Sequence, residues 1–159
     1  MLSNLYWIDA GVPMRLAIMA RPRAGEWLAD EVANWKREGV KIVASLLEPD
    51  EVRELQLEQE PTLCRQHGIE FRSFPIPDHS LPTDDKAAMR FAADLAHAGE
   101  IVAIHCRAGI GRSSLMAAAV LICSGVQGDV ALAAIEAARG LPVPDTDAQA
   151  EWVLARCMP

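Results

Sequence analysis

The chain has 159 residues and a net charge of −7, because 22 acidic side chains outnumber 15 Lys and Arg. Hydrophobic residues make up 51% and charged residues 23%, which is typical of a folded protein and excludes a disordered one. The length favours a single domain, residues 1–159, that buries its core without disulfide staples. The acidic charge argues against nucleic-acid or membrane partners, because both need a basic surface.

Helix and strand patterns alternate along most of the chain. In order they predict a strand at 12–21, a helix at 25–39, a strand at 40–47, a helix at 49–68, a strand at 69–76, a helix at 83–97, a strand at 101–104 and helices at 113–123, 129–139 and 147–157. Pro61 is a candidate break in the second helix. This alternation predicts an α/β fold with a mostly parallel central sheet flanked by helices.

The N-terminus and the cysteines bear on the cell compartment. The sequence MLSNLYWIDAG lacks a basic segment followed by an apolar one, so no signal peptide is predicted. The longest apolar run, residues 115–123, is too short to cross a bilayer. The four cysteines are Cys64, Cys106, Cys123 and Cys157. None is spaced as C-x-x-C, so we expect neither a zinc knuckle nor a disulfide framework, and we expect a cytoplasmic location.

One loop carries the most specific chemistry. Residues 105–113 (HCRAGIGRS) follow a continuously apolar strand and lead into an apolar helix. Gly109 and Gly111 allow successive backbone N–H groups to turn inward and form an anion-binding concavity, at which the helix N-terminus also points. Arg112 offers a planar fork for two phosphate oxygens. In such surroundings the Cys106 thiol is expected to be a thiolate, and therefore a nucleophile.

This segment matches the signature H-C-x5-R-[S/T], and the whole chain resembles the small dual-specificity branch of the cysteine-dependent protein tyrosine phosphatases. The resemblance implies a tyrosine-phosphatase-like fold. It implies that Cys106 attacks phosphorus and forms a cysteinyl-phosphate, that Arg112 holds the phosphoryl oxygens, and that the Ser113 hydroxyl eases departure of the thiolate. His105 would order the loop from behind. The phosphate-binding loop would be Cys106, Arg107, Ala108, Gly109, Ile110, Gly111 and Arg112.

The family also needs a general acid on a separate loop, since the leaving oxygen must be protonated. Asp78 is the candidate, in the segment FPIPDHSLP, 28 positions before the nucleophile. Its I-P-D-x-x-x-P pattern resembles the acid loop of small dual-specificity enzymes. Asp84 and Asp85 are weaker rivals, because they are better explained as residues of a helix start. His79 either tunes Asp78 or is simply exposed to solvent, and exposure is the favoured interpretation.

A third stretch, PDTDAQ at residues 144–149, partly resembles the Q-T-x-x-Q segment of larger tyrosine phosphatases. The resemblance implies that Gln149 aligns the hydrolytic water, although Asp145 stands where the first Gln would be. An ordinary polar residue on the first turn of a surface helix explains Gln149 equally well. Trp27, Trp35 and Trp152 are interpreted as core residues, and so are the remaining cysteines.

Three functions are compatible with these residues. The first is a phosphatase for phosphoproteins, acting on phosphotyrosine and also on phosphoserine or phosphothreonine if the pocket is shallow. The second is a phosphatase for inositol phosphates, phospholipids or RNA ends. Phosphoinositide enzymes of the superfamily carry Lys at the first and fourth loop positions, which here are Arg107 and Ile110. The third is a binding module without activity, which should have lost the nucleophile, the arginine or the acid.

No metal or other cofactor is expected, because Arg112 and the loop N–H groups would supply the positive charge. The expected ligands of the loop are phosphate, sulfate or vanadate, and the expected partner is a phosphorylated protein or peptide.

Overall fold

The computed structural model describes residues 2–156. The strands are β1 Tyr6–Ile8, β2 Leu16–Met19, β3 Ile42–Ser45, β4 Glu70–Ser73 and β5 Val102–His105. The helices are α1 Leu28–Arg37, which follows a 3₁₀ turn at Gly25–Trp27, α2 Pro49–Glu54, α3 Glu60–Gln66, α4 Asp85–His97, α5 Gly111–Cys123, α6 Gly128–Arg139 and α7 Asp147–Leu154.

The strands form one sheet in the order β1-β2-β5-β3-β4. Only the β1–β2 pair is antiparallel among these strands, and the other three pairs are parallel. Strand β5 lies at the centre, with Ile104 opposite Ile18 of β2 and Ala44 of β3. The predicted α/β fold with a mostly parallel sheet is therefore confirmed, and the predicted central strand occupies the central position.

The two faces of the sheet bury separate cores, because successive strand residues point to opposite sides. Ile18 and Ile104 pack into the larger core, which contains helices α4 to α7 on that face. Ala17 and Ala103, one residue earlier in each strand, pack into the smaller core with α1 and α3. Since both faces are covered, the first three residues of β5, 102–104, are all apolar.

Several predicted boundaries differ from the observed ones. Strand β1 was not predicted, since three residues are too few to show a periodic pattern. The predicted helix at 49–68 is two helices, and the break lies before Pro61. Gln56 has φ of 57°, which ends the first helix, and Pro61 sits in the opening turn of α3, where its missing N–H costs nothing. Trp27 is 49% exposed, so its interpretation as core is wrong.

The other aromatic predictions agree with the structure, since Trp35 and Trp152 are buried. Cys157, placed by the sequence at the end of the last helix, lies outside the described residues. Within residues 2–156 no helix combines the length and apolar character that a bilayer crossing requires.

Candidate active site

The loop between β5 and α5 lies where the central strand ends, the usual position of ligand sites in parallel sheets. Cys106 follows the strand directly and is 3% exposed. Helix α5 begins at Gly111, two residues earlier than predicted, so Arg112 already lies in its first turn. The N-terminus of a buried helix therefore faces the same loop as the cysteine, and its partial positive charge favours an anion there.

The loop backbone presents unpaired N–H groups. In a trans peptide the C=O and the following N–H point in opposite directions. The carbonyl of Arg107 accepts a hydrogen bond from the Arg21 N–H at 3.1 Å, and the carbonyl of Cys106 accepts one from His105 Nδ1 at 3.3 Å. The next N–H groups therefore point the other way. No acceptor among residues 2–156 takes the N–H groups of residues 107–110.

Gly109 is required for the loop to pass close to strand β2. Its φ is +71°, and a Cβ there would lie 2.5 Å from the Met19 carbonyl carbon and 2.6 Å from the Ala20 nitrogen. Both neighbours are backbone atoms, which cannot move aside cheaply. A side chain at this position would therefore push the loop away from the sheet.

Arg112 is held in one orientation by a buried carboxylate. The side chain is 2% exposed, with Nη1 donating to Glu51 Oε1 at 2.6 Å and Nη2 donating to Glu51 Oε2 at 2.9 Å. Nη1 also donates to the Ile76 carbonyl at 2.9 Å. Burial opposes ionisation of Glu51, but the hydrogen bond from Arg112 prevails and lowers the pKa of Glu51 to about 2.

Asp78 reaches the same guanidinium from the loop after β4. Its Oδ1 accepts from Arg112 Nη2 at 2.9 Å, and its side chain is 40% exposed. The rival acids have other partners. Asp84 caps α4 by accepting from the Ala87 N–H at 3.0 Å, and Asp85 accepts from Trp152 Nε1 at 2.9 Å. We call residues 106–112 the anion loop. Of the three carboxylates, Asp78 is thus the one that contacts this loop, through Arg112.

The side chain of Arg107 points to the surface and is paired with acids. Its Nη2 donates to Glu54 Oε2 at 3.1 Å and its Nε to Glu51 Oε2 at 3.3 Å. These two carboxylates raise the pKa of Arg107. Glu51 therefore contacts both arginines of the loop, and Arg107 is less available to bind a second anion.

Behind the loop, His105 forms a buried pair with Glu60. His105 Nε2 lies 2.6 Å from Glu60 Oε2, and the two side chains are 0% and 2% exposed. Burial lowers the pKa of His105, but the Glu60 charge and hydrogen bond outweigh it, so the pKa is raised. With Nδ1 on the Cys106 carbonyl, the imidazole joins α3 to the loop.

Ser113 and Gln149 occupy buried positions near the loop. The Ser113 hydroxyl has no hydrogen-bond partner within the described part of the chain, which leaves it available to a ligand. Gln149 Oε1 accepts the N–H groups of Asp145 and Thr146 at 3.1 and 3.3 Å, and its Nε2 donates to the Ser80 carbonyl at 3.1 Å. Gln149 thus ties helix α7 to the loop that bears Asp78.

The rim of the site carries three titratable side chains. His79, with φ of 56°, follows Asp78 in the chain. Its Nε2 is 3.8 Å from Asp78 Oδ2 and its Nδ1 is 3.6 Å from Asp145 Oδ2. The His79 side chain is 70% exposed, as expected. The Asp145 carboxylate also lies against Gly111, where any Cβ would collide with it.

Two site residues were missed by the sequence analysis. Glu51 and Glu60 lie 61 and 45 positions from their partners Arg112 and His105. Glu51 carries a local signal as the N3 residue of a capping box, in which it accepts from the Glu48 N–H, but that signal predicts a helix start and no site.

Burial raises the pKa of Cys64 to about 12, so this thiol is a packing residue.

Comparisons with known proteins identify the family and the fold. A family model described as "Tc-R-P: Polymorphic toxin system, DSP-PTPase phosphatase" matches residues 17–126. No curated protein sequence gives a significant match. A structure of kinase associated phosphatase (KAP), with its catalytic-site cysteine substituted by serine, superposes with a TM-score of 0.85 at 19% identity, covering 96% of this chain and 93% of that one.

Two further structures share the fold. Tk-PTP in its active form has a TM-score of 0.70 at 26% identity, covering 94% of this chain and 92% of that one. Pseudomonas aeruginosa TpbA in complex with pTyr has a TM-score of 0.60 at 21% identity, covering 96% and 90%. All three are phosphatase-fold structures matched over nearly their whole length.

Proposed function

The chain belongs to the DSP-PTPase phosphatase family and is a cysteine-dependent phosphatase, and from this premise we propose that it removes single phosphate groups from phosphoproteins. Phosphotyrosine is the first substrate to test, with phosphoserine and phosphothreonine next. The observation that carries the proposal is the row of four loop N–H groups, at residues 107–110, that have no acceptor among the described residues. They lie beside the Arg112 guanidinium, whose Nη2 donates to the carboxylate of Asp78 at 2.9 Å.

The reaction has two steps. The Cys106 sulfur attacks phosphorus while the bond to the leaving oxygen breaks, and protonated Asp78 gives that oxygen its proton. The loop N–H groups and Arg112 hold the other three phosphoryl oxygens. Water then attacks phosphorus and gives a proton to the Asp78 carboxylate. The S–P bond breaks, the Ser113 hydroxyl hydrogen-bonds the departing thiolate, and phosphate leaves.

In the second step we assign Gln149 the alignment of the water. Its Oε1 is occupied by two N–H groups, and one hydrogen of Nε2 is taken by Ser80, so a single N–H remains to meet water. Gln149→Glu keeps the Oε1 acceptor but removes both Nε2 hydrogens, including the one on the Ser80 carbonyl. Formation and hydrolysis of phosphocysteine are therefore measured separately, because a shifted Asp78 loop would slow both steps whereas loss of the water donor slows hydrolysis alone. If Gln149 aligns water, this variant accumulates phosphocysteine in rapid-quench measurements with p-nitrophenyl phosphate. Unchanged accumulation would leave Gln149 only its part in tying α7 to the acid loop.

The state of Arg107 supports a substrate with one phosphate. A polyphosphorylated headgroup needs cations around the site to bind its further phosphates. Here the Arg107 guanidinium is already paired with Glu51 and Glu54, and Ile110 brings no charge. The protein's net charge of −7 adds long-range repulsion against such polyanions.

Phosphoinositides remain the second candidate, because PTPMT1, of the same fold at 22% identity, has been solved in complex with PI(5)P. A panel of phosphotyrosine and phosphoserine/threonine peptides, inositol phosphates and phosphoinositide vesicles separates the two. We expect the highest kcat/KM on a peptide. A higher value on a phosphoinositide would overturn the substrate class while leaving the phosphatase assignment intact. Silence on every substrate would favour a binding module.

The nucleophile and acid are tested with p-nitrophenyl phosphate. Cys106→Ser should abolish turnover, by at least about 10³-fold, because the substituted hydroxyl is a far weaker nucleophile. Asp78→Asn keeps the hydrogen bond from Arg112 but cannot give a proton, so turnover should fall about 10²-fold and its pH profile should flatten. Asp84→Asn is the matched control and should keep both. Turnover that persists in Cys106→Ser, or that requires a divalent metal, would contradict the mechanism.

A further inference from the structure

The carbonyl groups of Ala108 and Gly109, on the outer side of the anion loop, both point to Arg139. Arg139 Nε donates to the Gly109 carbonyl at 3.0 Å, and Nη2 donates to the Ala108 carbonyl at 3.3 Å. Arg139 is the last residue of α6, a helix that contributes none of the groups assigned so far. Its two bonds therefore link a distant helix to the loop that would bind phosphate.

The face of the Arg139 guanidinium, whose edge makes these two hydrogen bonds, packs on the ring of the chain's single tyrosine. The Arg139 Cζ lies 4.2 Å from the centroid of the Tyr6 ring, which belongs to strand β1. No carboxylate of residues 2–156 lies within ion-pair distance of Arg139. The ring and the two carbonyls are thus the contacts that fix its orientation, and a planar fork loses little freedom in making both bonds.

These bonds matter because of the geometry of the peptide. If the carbonyls of Ala108 and Gly109 point outward, the N–H groups of Gly109 and Ile110 point inward. The two preceding carbonyls, of Cys106 and Arg107, are held outward by His105 and by the Arg21 N–H. With Arg139, a row of four consecutive loop carbonyls therefore has donors on the outer side. Gly109 is the weak point of this row, because a glycine permits its flanking peptides to flip at low cost.

We propose that Arg139 is a positioning residue, which holds two consecutive loop peptides with their N–H groups turned toward the phosphate. The proposal rests on the proposed function. Without Arg139, the carbonyls of Ala108 and Gly109 lose their donors, and flipped peptides would direct carbonyl oxygens at an anion. Phosphate binding and turnover should then fall together, although Arg139 touches no substrate.

The test compares Arg139→Ala with Arg15→Ala. Arg15 is a matched control, since its guanidinium stacks over Trp7 of the same strand at 4.6 Å and makes no contact with the loop. We measure kcat and KM for p-nitrophenyl phosphate, the inhibition constant of inorganic phosphate, and the thermal midpoint. In Arg139→Ala the inhibition constant should rise and kcat/KM should fall by about tenfold or more, as expected for two misdirected charge-assisted donors. Arg15→Ala should stay within about twofold.

Arg139→Lys gives an intermediate result if the inference is correct, because an ammonium reaches one carbonyl but not both. It also serves as the test variant if Arg139→Ala fails to fold. An Arg139→Ala variant that is folded and binds phosphate like the wild type overturns the inference while wild-type turnover upholds the proposed function. A wild type that neither binds phosphate nor turns over substrate overturns the proposed function, and the inference with it.

Discussion

The underside of the anion loop and its rim are built from the same kinds of side chain but in opposite surroundings. On the underside, the pairs Arg112–Glu51 and His105–Glu60 are buried, with oxygen–nitrogen distances of 2.6 Å. On the rim, His79 lies 3.6 to 3.8 Å from Asp78 and Asp145 and is 70% exposed. Removing one partner leaves a buried charge unpaired on the underside, whereas water replaces the lost partner on the rim.

The largest effect should come from Glu51→Ala. It leaves the buried Arg112 without its two-pronged acceptor, so we expect a loss of about 3 kcal/mol in the free energy of unfolding. Turnover should fall about 10²-fold because Arg112 loses its orientation. Urea denaturation and steady-state kinetics measure both. Glu54→Ala, at the exposed partner of Arg107, is the control and should change stability by less than about 0.5 kcal/mol.

The same carboxylate sets how acid affects stability. The pKa of Glu51 falls from 4.5 in the unfolded chain to about 2 in the folded protein. Its contribution is therefore complete above the unfolded value and is lost as the pH falls through the folded one. The wild type should lose stability below about pH 4.5, and Glu51→Gln should lose less over that range. Parallel acid-side curves for the two proteins would contradict this assignment.

Glu60→Gln should lower the free energy of unfolding by about 1–3 kcal/mol, and the pH dependence of this loss should be opposite to that at Glu51. The pKa of His105 is raised in the folded protein, so this pair contributes fully below the unfolded value near 6.5 and less as the pH rises through the folded one. The difference between wild type and variant should shrink from pH 6 toward alkaline pH. A difference that stays constant in urea titrations would show that the imidazolium charge does not stabilise the fold.

Asp84→Ala should cost about 1 kcal/mol, because it removes the acceptor that caps α4. Turnover should not change, because Asp84 is bonded to its own helix and makes no contact with Arg112. Thermal unfolding and the pH–rate profile measure the two effects separately. A flattened acidic limb in this variant would move the general acid from Asp78 to Asp84.

The smallest effect is expected at the rim. His79→Ala removes a side chain whose partners are both solvated, so stability should change by less than about 0.5 kcal/mol and turnover by less than about threefold. A loss as large as that of Glu51→Ala would show that the rim is as tightly coupled to catalysis as the underside. It would end the distinction between the two regions.

Sequence analysis predicted the elements that follow one another along the chain and missed the contacts between residues that are far apart in it. The strand, loop and helix around Cys106 follow one another within about twenty residues, so local rules place them correctly, apart from a helix start shifted to Gly111. The segment that brings Asp78 to Arg112 also lies in one short stretch of sequence, and its proposed role as the acid remains a prediction. Glu51, Glu60 and Arg139 reach the loop only through the packing of α2, α3 and α6 around it. No spacing along the chain encodes such contacts.

Helix α5 has a further consequence for the motions of this protein. Residues 111–122 are all buried, so the helix that begins at the anion loop is also the centre of the larger core. Its amide hydrogens should exchange with solvent only when the whole molecule unfolds, whereas those of the exposed loop around His79 should exchange by local opening. Hydrogen exchange is therefore expected to be slowest next to the anion loop and faster around Asp78, the proposed general acid. The proposed reaction would then join a loop anchored in the core to a carboxylate from a segment that opens locally.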